Sequence, residues 1–349
     1  MADLKTFKCD SCGAYLEYNP AEARLTCPYC GKQHDISRII DADAAEESAS
    51  AAQTEEDGTG YRGYHCRTCG AEVVVGATTA ATRCYYCHSP VVLTDRLSEA
   101  FQPDWVIPFQ LDRKAAFARF KNYLNKKRYV DRRFFSKDQL QAMQGVYYPY
   151  WMGTITGDAR FDGKGKLIRH HTSGRYDIYE TETYRLKRRG RYTFNRMFRK
   201  ALQAVDRKLS DGIFPYRMKE AVPFHAGYLS GFLAEKRDVE GEAVVTDMVA
   251  EATRLGEQMV RNYNGKYQSV RGQGSFTVKG HQLEYLLLPV WILTYRGKHP
   301  KRPFYFMMNG QTGSVCGKLP IDWGRLLPVA AGAAALVTAA LLIGGKLLW

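Results

Sequence analysis

Eight of the nine cysteines fall into two quartets with the same internal spacing. The quartets are Cys9, Cys12, Cys27 and Cys30, and Cys66, Cys69, Cys84 and Cys87. Each has the pattern C-x2-C-x14-C-x2-C, and the second lies 57 residues after the first. Two cysteines separated by two residues can direct both sulfurs at one point, and two such pairs supply the four thiolates of a tetrahedral zinc site. The spacing therefore predicts two Zn²⁺ ions per chain.

Other uses of cysteine pairs fit this sequence less well. A redox-active C-x2-C pair needs a surrounding strand and helix pattern, which residues 1–40 lack. A disulfide framework is typical of secreted proteins, whereas the short polar segment before Cys9 does not resemble a signal peptide. Iron held by four thiolates stays an alternative to zinc. Because sulfur fills all four positions, the metal would stabilise a fold and leave no open position for a substrate.

Glycine follows the second cysteine in three of the four pairs, at Gly13, Gly31 and Gly70. A backbone that wraps around a metal often needs a positive φ at this point, and glycine adopts it without strain. Short alternating segments between the pairs suit antiparallel strands. These features predict two zinc ribbons, at residues 1–40 and 61–98.

The segment between the predicted ribbons, residues 41–60, carries seven acidic residues and no basic or large apolar side chain. Such a composition cannot offset the entropy lost on ordering, so it predicts a disordered acidic linker. Without those seven negative charges, the net charge of +14 becomes +21. A basic excess of this size indicates an anionic partner or surface.

A long apolar segment lies near the C-terminus, where Leu326–Gly345 holds twenty residues without a charge. Twenty helical residues span about 30 Å, which is the thickness of the hydrocarbon core of a bilayer. Trp323 and Trp349 bracket the segment as interfacial residues, and Lys346 can extend toward the headgroups. A buried core helix is usually shorter and has a polar face. The pattern therefore predicts a transmembrane helix at 326–348.

The distribution of charge predicts how this helix is oriented. The basic residues lie almost entirely before it, so the positive-inside rule places the bulk of the chain in the cytoplasm, tail-anchored by one pass through the cell membrane. Ala331, Ala335 and Ala339 repeat every four positions, and small residues let two helices approach closely. We expect this face to be available for a homo- or hetero-oligomer.

Residues 99–325 combine strand-like alternation with helical periodicity, which predicts an α+β domain with antiparallel sheet. The predicted helices are Arg113–Lys127 and Ala243–Asn262. The predicted strands are Ser275–Val278, Glu284–Tyr295, Pro303–Met308 and Ser314–Leu319. The tryptophans of the Pro-x-Trp motifs in this domain are expected to pack in the core.

One order of motifs occurs twice in the domain: a proline-containing segment, a helix, a Pro-x-Trp motif and strands. The paired segments are Val106–Phe109 with Val222–Phe224, and Pro149–Trp151 with Pro289–Trp291. Self-similarity of this kind is the signature of a repeat. We therefore predict an internal duplication, with units at 106–220 and 221–320.

The sequence holds no constellation that predicts catalysis. The glycine-rich segment Gly157–Gly165 fails as a phosphate loop, because the spacing is wrong and Gly165 stands where Ser or Thr would bind magnesium. His170 and His171 have no acidic or thiol partner at ligand spacing, and Cys316 has no nearby base. The chain is therefore predicted not to be an enzyme.

A basic cluster with interleaved aromatic residues lies between 185 and 200. Its members are Arg185, Lys187, Arg188, Arg189, Arg191, Arg196, Arg199 and Lys200. Such a cluster suits nucleic acid in a soluble protein, and it suits an anionic lipid surface in a protein held at a membrane. A solvated strand or hairpin gives the same pattern. All three interpretations stay open at the level of sequence.

Several motifs together resemble one family of bacterial proteins. They are the paired cysteine quartets, the acidic linker, Val106–Phe109, Gly145–Trp151, Leu288–Trp291 and Asn309–Gly313. Over nearly its whole length the chain resembles the bacterial TFIIB-type zinc-ribbon membrane proteins, the YdjG-like group. Members are often labelled as the primosomal helicase PriA, but this sequence lacks a helicase core. The resemblance implies a membrane-tethered adaptor, linked in some bacteria to recruiting phage-shock-type and SPFH-type proteins to the membrane.

These observations predict a non-enzymatic, tail-anchored scaffold whose ribbons bind cytoplasmic proteins, with a role in envelope stress implied by the resemblance. Zinc suits the ribbons because a module of this size cannot obtain enough folding energy from its own core. The alternative hypothesis is a membrane-tethered nucleic-acid-binding protein that uses the ribbons and the basic cluster. Binding that falls steeply with salt would distinguish it.

Overall fold

The computed structural model describes residues 4–5, 7–36, 61–65, 72–76, 78–84, 90–93, 101–127, 129–130, 143–203, 205–263, 265–295, 304–318 and 321–347. The linker predicted at 41–60 lies outside these residues. The described part combines helices with sheets whose strands pair mainly antiparallel. This confirms the predicted α+β class.

The first cysteine segment contains a small antiparallel sheet. The strands at this end of the chain are β1 (Leu4–Lys5), β2 (Glu17–Asn19), β3 (Arg24–Thr26) and β4 (Gln33–His34). β2, β3 and β4 form the sheet in that order, and it buries Tyr18 and Leu25 on one side. The turn from β2 to β3 is closed by Asn19, whose side-chain oxygen accepts a hydrogen bond from the amide of Ala21 at 3.0 Å. Asparagine favours such turns because its side chain reaches the backbone two residues on.

Two hairpins follow in the second cysteine segment. Their strands are β5 (Tyr61–His65) with β6 (Glu72–Gly76), and β7 (Thr79–Arg83) with β8 (Pro90–Leu93). The second hairpin does not stand alone, since β8 pairs with β1 and β7 continues into the central sheet. One sheet therefore contains strands from both predicted ribbons and from the central domain. The predicted boundaries between these domains stay predictions.

The central sheet has eleven strands, with eight in the order β1-β8-β7-β13-β10-β14-β15-β16. Its remaining strands by sequence are β9 (Trp105–Val106), β10 (Gln144–Ser173), β11 (Tyr176–Lys200), β12 (Val222–Pro223), β13 (Leu233–Glu235), β14 (Ser269–Tyr295), β15 (Phe304–Asn309) and β16 (Val315–Gly317). β11 pairs with β10, and β9 pairs with β12 and β14. The pairs β10 with β13 and β14 with β9 are parallel.

Of the α-helices named next, the first, third and fourth begin and end close to their predicted positions, and the second was not predicted. They are α1 (Arg113–Asn125), α2 (Arg207–Asp211), α3 (Gly241–Asn262) and α4 (Trp323–Leu347). Asp112 caps α1, since its carboxylate accepts a hydrogen bond from the amide of Ala115 at 2.6 Å. Asp206 caps α2 in the same way through the amide of Lys208 at 2.8 Å.

β10, β11 and β14 continue far beyond the rest of the sheet and form an arm. We define the arm as residues 153–193 of β10 and β11, residues 269–283 of β14, and α3. α3 covers one face of the three strands, which we call the inner face, and the opposite face is the outer face. α3 packs closely on β10 at Gly153, which has no side chain. A Cβ added at Gly153 would lie 2.3 Å from the sulfur of Met248 on α3. Glycine at such a point permits close packing of helix on strand.

The register between β10 and β14 places the two Pro-x-Trp motifs side by side. Pro149 lies opposite Leu287, and Pro289 lies opposite Tyr147. β13 runs parallel to β10 beside its start, and β9 runs parallel to β14 at the corresponding place. The tryptophans of both motifs are largely enclosed, Trp291 being 3% exposed.

The first cysteine segment packs directly on the central domain. The hydroxyl of Ser230 donates to the carbonyl of Leu16 at 2.6 Å, and the amide of Tyr18 donates to the carbonyl of Ser230 at 3.0 Å. Buried residues of the segment belong to the same hydrophobic cluster as those of the central sheet. The segment is thus part of the body of the protein in the structure described.

The apolar helix α4 is largely exposed over Trp323–Leu342. The part Trp323–Leu342 has a mean hydropathy of 1.8 and is 0% buried. Leu336 and Leu341 are 74% and 71% exposed. By length and composition α4 is a candidate membrane span, and its bounds agree with the predicted 326–348 to within three residues.

Candidate metal centre

Two turns of matching geometry hold the first cysteine quartet. The amide of Gly13 donates to the carbonyl of Cys9 at 2.9 Å, and the amide of Gly31 donates to the carbonyl of Cys27 at 2.9 Å. φ is +72° at Gly13 and +74° at Gly31. No atom lies within 4 Å of a Cβ added at either glycine, so the positive φ alone favours glycine there.

The turns bring the four sulfur atoms together. All four Sγ atoms of Cys9, Cys12, Cys27 and Cys30 lie within 4.8 Å of one another. The distance is 3.6 Å from Cys9 to Cys30 and 3.5 Å from Cys12 to Cys27. Four sulfurs around a zinc ion at about 2.3 Å lie about 3.8 Å apart, whereas a disulfide bond is about 2.05 Å long. The four cysteines are free thiols whose spacing fits one metal ion such as zinc.

The surroundings favour the thiolate form at two positions. Burial raises the pKa of Cys9, but hydrogen bonds from the backbone of Ser11 and Cys12 and from His34 outweigh it, and the pKa falls to about 7. The backbone hydrogen bond from Cys30 lowers the pKa of Cys27, also to about 7. The ordinary value is 9.0. Despite a backbone hydrogen bond from Ala14, burial and the neighbouring thiols raise the pKa of Cys12 to about 12, and the pKa of Cys30 is also raised. Because the thiolate is the metal ligand, the lowered pKa values of Cys9 and Cys27 favour metal binding near neutral pH, whereas the raised pKa values of the other two thiols oppose it.

Polar side chains that sequence reasoning missed surround this quartet. Lys32 Nζ lies 2.8 Å from the carboxylate of Asp10, and His34 Nε2 lies 3.7 Å from the same oxygen. Ligand atoms of Cys9, Asp10 and His34 also lie within 4.8 Å of one another. Lys32 and His34 place positive or donor groups beside a centre of four thiolates, and such neighbours tune metal sites. The sequence could have indicated these two residues by their position, since both follow Cys30 within four residues.

The structure describes only part of the second quartet. Cys84 is buried, whereas Cys66, Cys69 and Cys87 lie outside the described residues. The sequence places the first pair between β5 and β6 and the second pair between β7 and β8. Each pair thus falls between the strands of a hairpin. The second metal ion stays a prediction.

The basic cluster divides into two groups by strand register. Arg185, Lys187, Arg189 and Arg191 alternate along β11 and are exposed on the outer face of the arm. The other four are Arg188, Arg196, Arg199 and Lys200. The cluster is therefore not one continuous patch.

Three members of the second group contact other parts of the fold. Arg188 points to the inner face and donates to the carbonyl of Val260 at 3.2 Å near the end of α3. Arg199 pairs with Glu251 of α3, and its side chain is only 15% exposed. Lys200 donates to the carbonyl of Gln203 at 2.8 Å.

Arg196 lies where the register of β10 and β11 shifts, with a φ of +59°. Its position at a bulge separates it from the alternating face of β11. Arg196 therefore does not continue the alternating row of Arg185, Lys187, Arg189 and Arg191. Arg196 is itself exposed, but only the other four exposed members form one alternating row along β11.

Fold and site together define an α+β protein with an N-terminal cluster of four cysteines suited to a metal ion and an exposed apolar helix near its C-terminus. The chain is similar to an uncharacterized protein, YdjG of Bacillus subtilis (strain 168). The two are 28% identical over 346 residues, which cover 97% of this chain and 98% of that protein. No family model matches the chain, and no solved structure matches it.

Proposed function

We propose that the protein is a non-enzymatic adaptor, held at a membrane by α4, that recruits cytoplasmic proteins through its cysteine modules. The carrying observation is the exposure of α4, which is 0% buried over Trp323–Leu342. A continuous apolar surface of this length is unfavourable in water, and a bilayer would cover it. The orientation proposed is a single pass through the cell membrane with the body on the cytoplasmic side.

The cysteine modules are proposed to be zinc ribbons that stabilise a docking surface. The matching turns at Gly13 and Gly31 and the sulfur spacing support zinc at the first quartet. The equal spacing of the second quartet supports a second ion. A site filled by four thiolates offers no position for a substrate, so the metal would serve folding.

An internal duplication is proposed for the central domain, with units that begin at β9 and β13. Val106 of β9 precedes the start of α1 by seven residues, and Ala234 of β13 precedes the start of α3 by seven residues. Each short strand lies parallel to a long strand of the other unit. The segment at Val222 is β12, which pairs with β9 itself. In this proposal the second unit begins at β13, whereas the sequence motifs suggested a start at 221.

The membrane tether is tested by fractionation of the full chain and of a version that ends at Asp322. The full chain should stay with membranes after washing with high salt and with alkaline carbonate. The shortened version should be released, and fusion of an unrelated membrane-spanning helix should restore retention. Retention of the shortened version after both washes would exclude α4 as the tether.

The adaptor role is tested by comparing the proteins captured by two forms of the chain in detergent. One form is unchanged, and the other carries Cys9→Ser and Cys12→Ser, which removes half of the first thiolate set. Metal analysis should return two zinc ions for the unchanged chain and one for the variant. A partner that binds both forms equally would show that the first module is not its docking surface.

A further inference from the structure

The outer face of the arm carries a dense group of basic side chains drawn from three strands. The group comprises Arg160, Lys164, Lys166, Arg185, Lys187, Arg189, Arg191 and Arg271, all of them exposed. Two carboxylates, Asp158 and Asp162, lie among them on the same face. The eight cations and two anions leave a net charge of +6. Half of the group comes from β10 and β14, which the sequence did not connect with the cluster on β11.

Strand register places several of these cations directly opposite one another. Lys164 lies between Arg185 on β11 and Arg271 on β14, which makes a row of three positive charges across the sheet. Arg160 lies opposite Arg189. Like charges in directly opposed positions destabilise a sheet. The fold therefore carries an electrostatic cost at this face that a bound anionic partner would relieve.

Neighbouring carboxylates neutralise only a minority of the group. Arg185 pairs with Asp162 at 3.6 Å, and Arg191 pairs with Asp158 at 3.1 Å. Within the described part of the chain, the other six cations have no carboxylate within 4.0 Å. Both ion pairs are exposed, with the two arginine side chains 72% and 70% accessible. Such surface pairs are weak and leave the face strongly positive.

We propose that this face binds the anionic headgroups of the bilayer to which α4 tethers the chain, an inference that rests on the proposed membrane tether. Residues 158–166 of β10 span about 27 Å, and side chains on one face repeat about every 6.8 Å along a strand. The eight cations can therefore reach one extended surface together. Attraction of clustered Lys and Arg to anionic lipid acts within about one Debye length, roughly 8 Å at physiological salt.

The side chains around the cations favour lipid over nucleic acid. The neighbours on this face are threonine, serine and glutamine, and no aromatic side chain lies among residues 156–166 or 271–277 of the outer face to stack on a base. Beyond the basic rows, Ile168 and Tyr179 are 39% and 65% exposed on the same face. A tyrosine and an apolar residue at the end of a basic surface suit the headgroup layer. The tether also raises the effective concentration of lipid at the arm.

The proposal is tested on the full chain reconstituted into two kinds of vesicle. One kind contains only phosphatidylcholine, and the other contains roughly one quarter phosphatidylglycerol. A membrane-impermeant amine reagent labels exposed lysines, and mass spectrometry gives the rate at each. Lys164, Lys166 and Lys187 should react about threefold more slowly in the anionic vesicles at low salt, and high salt should abolish the difference. Lys114 and Lys121, exposed on α1, serve as internal references whose rates should not change.

A charge-reversal variant separates binding from folding. Arg160→Glu and Lys164→Glu lower the net charge of the face from +6 to +2 and place carboxylates opposite Arg189 and Arg185. The variant should melt at a temperature no lower than the unchanged chain, because opposed like charges become opposed unlike charges. Protection of Lys187 in anionic vesicles should be lost. A matched variant with Lys114→Glu and Lys121→Glu should keep the protection.

Three outcomes would overturn the proposal. Equal labelling of the outer face in both kinds of vesicle would show that lipid charge is not sensed. Persistent protection in the folded Arg160→Glu, Lys164→Glu variant would place the contact elsewhere. Protection by a DNA duplex, and not by anionic vesicles, would assign the face to nucleic acid. Release of the full chain by alkaline carbonate is a separate result, since it would refute the membrane tether and not the charge of the arm.

Discussion

At the scale of single residues, two glycines have equally open surroundings but differ in backbone conformation. Gly13 and Gly280 both have open space around them, with no atom within 4 Å of an added Cβ. Only Gly13 has a positive φ, at +72°. For any other L-residue this region brings Cβ close to the backbone, at a cost of about 1–2 kcal/mol. The turn at the first cysteine pair therefore depends on backbone conformation and not on space.

Replacing Gly13 with alanine should lower the free energy of unfolding by about 1 kcal/mol, because the turn requires a left-handed backbone. Gly280→Ala is the matched control, since it adds the same methyl group in a strand where φ is ordinary, and it should change stability by no more than about 0.5 kcal/mol. Urea denaturation of the metal-loaded protein measures both. Equal losses for the two variants would show that φ does not decide the effect.

Ionisation of the thiols makes metal affinity depend on pH. The pKa of Cys9 and of Cys27 is lowered from 9.0 to about 7 in the folded chain. A lowered pKa means that the thiolate contributes fully above the ordinary value and that its contribution is lost as the pH falls through about 7. Protons therefore compete with the metal at these two thiols most strongly below neutral pH.

We expect the apparent zinc affinity of the chain to fall steeply as the pH decreases from about 8 to about 6, because metal binding must displace protons from the thiols. Competition with a chromophoric chelator at several pH values measures this. The control is the Cys9→Ser, Cys12→Ser variant, whose first site should not take up zinc at any pH in the range. An affinity independent of pH would contradict the assigned ligands.

At the scale of elements, the sequence predicted features that depend on neighbours in the chain and missed those that depend on pairing. The turns of the first cysteine quartet and α4 follow from local spacing and composition, and both appear where they were expected. The arm could not be predicted, because no local sequence pattern indicates that β10 is 30 residues long or that it pairs with β14. For the same reason the sequence did not show that Arg188 and Arg189 lie on different faces of the arm. Adjacent side chains point to opposite faces of a strand, but this applies only once the strand is known.

The contact between α3 and the arm gives a test of packing. Gly256 lies on the buried side of α3, and an added Cβ would lie 2.4 Å from the ring of Phe276. Alanine is normally about 1 kcal/mol better than glycine inside a helix. We expect Gly256→Ala to destabilise the protein nevertheless, by about 1–3 kcal/mol, because the extra methyl group overpacks the core.

A double-mutant cycle checks the assigned partner of Gly256. Phe276→Leu removes part of the ring, so the cost of Gly256→Ala should shrink or reverse in that background. Thermal unfolding of the four proteins provides the coupling free energy. Additive effects of the two substitutions would contradict direct contact between Gly256 and Phe276.

At the scale of the whole molecule, the first cysteine module is integrated with the body and not displayed at the end of a tether. Leu16, Tyr18 and Leu25 are buried in one cluster with Trp291 and Phe109 of the central domain. Arg83, between the two cysteine segments and the body, pairs with Glu17 at 2.9 Å and donates to the carbonyl of Gly231 at 3.0 Å. A partner that docks on this module would therefore contact a surface whose shape the body also determines.

Metal removal should consequently loosen part of the central domain and leave the arm intact. The turns that hold Leu16 and Tyr18 in place depend on the quartet, and each large apolar side chain that leaves the core forfeits about 1.5–3 kcal/mol. Hydrogen exchange after treatment with a zinc chelator should increase at residues 228–232, which contact the module, more than at 244–260 of α3, whose cluster contains no residue of the module. The Cys9→Ser, Cys12→Ser variant should reproduce this pattern without chelator. Uniform loss of protection over the whole chain would instead mean that module, body and arm unfold as one unit, and unchanged exchange at 228–232 would mean that the docked module holds its structure without metal.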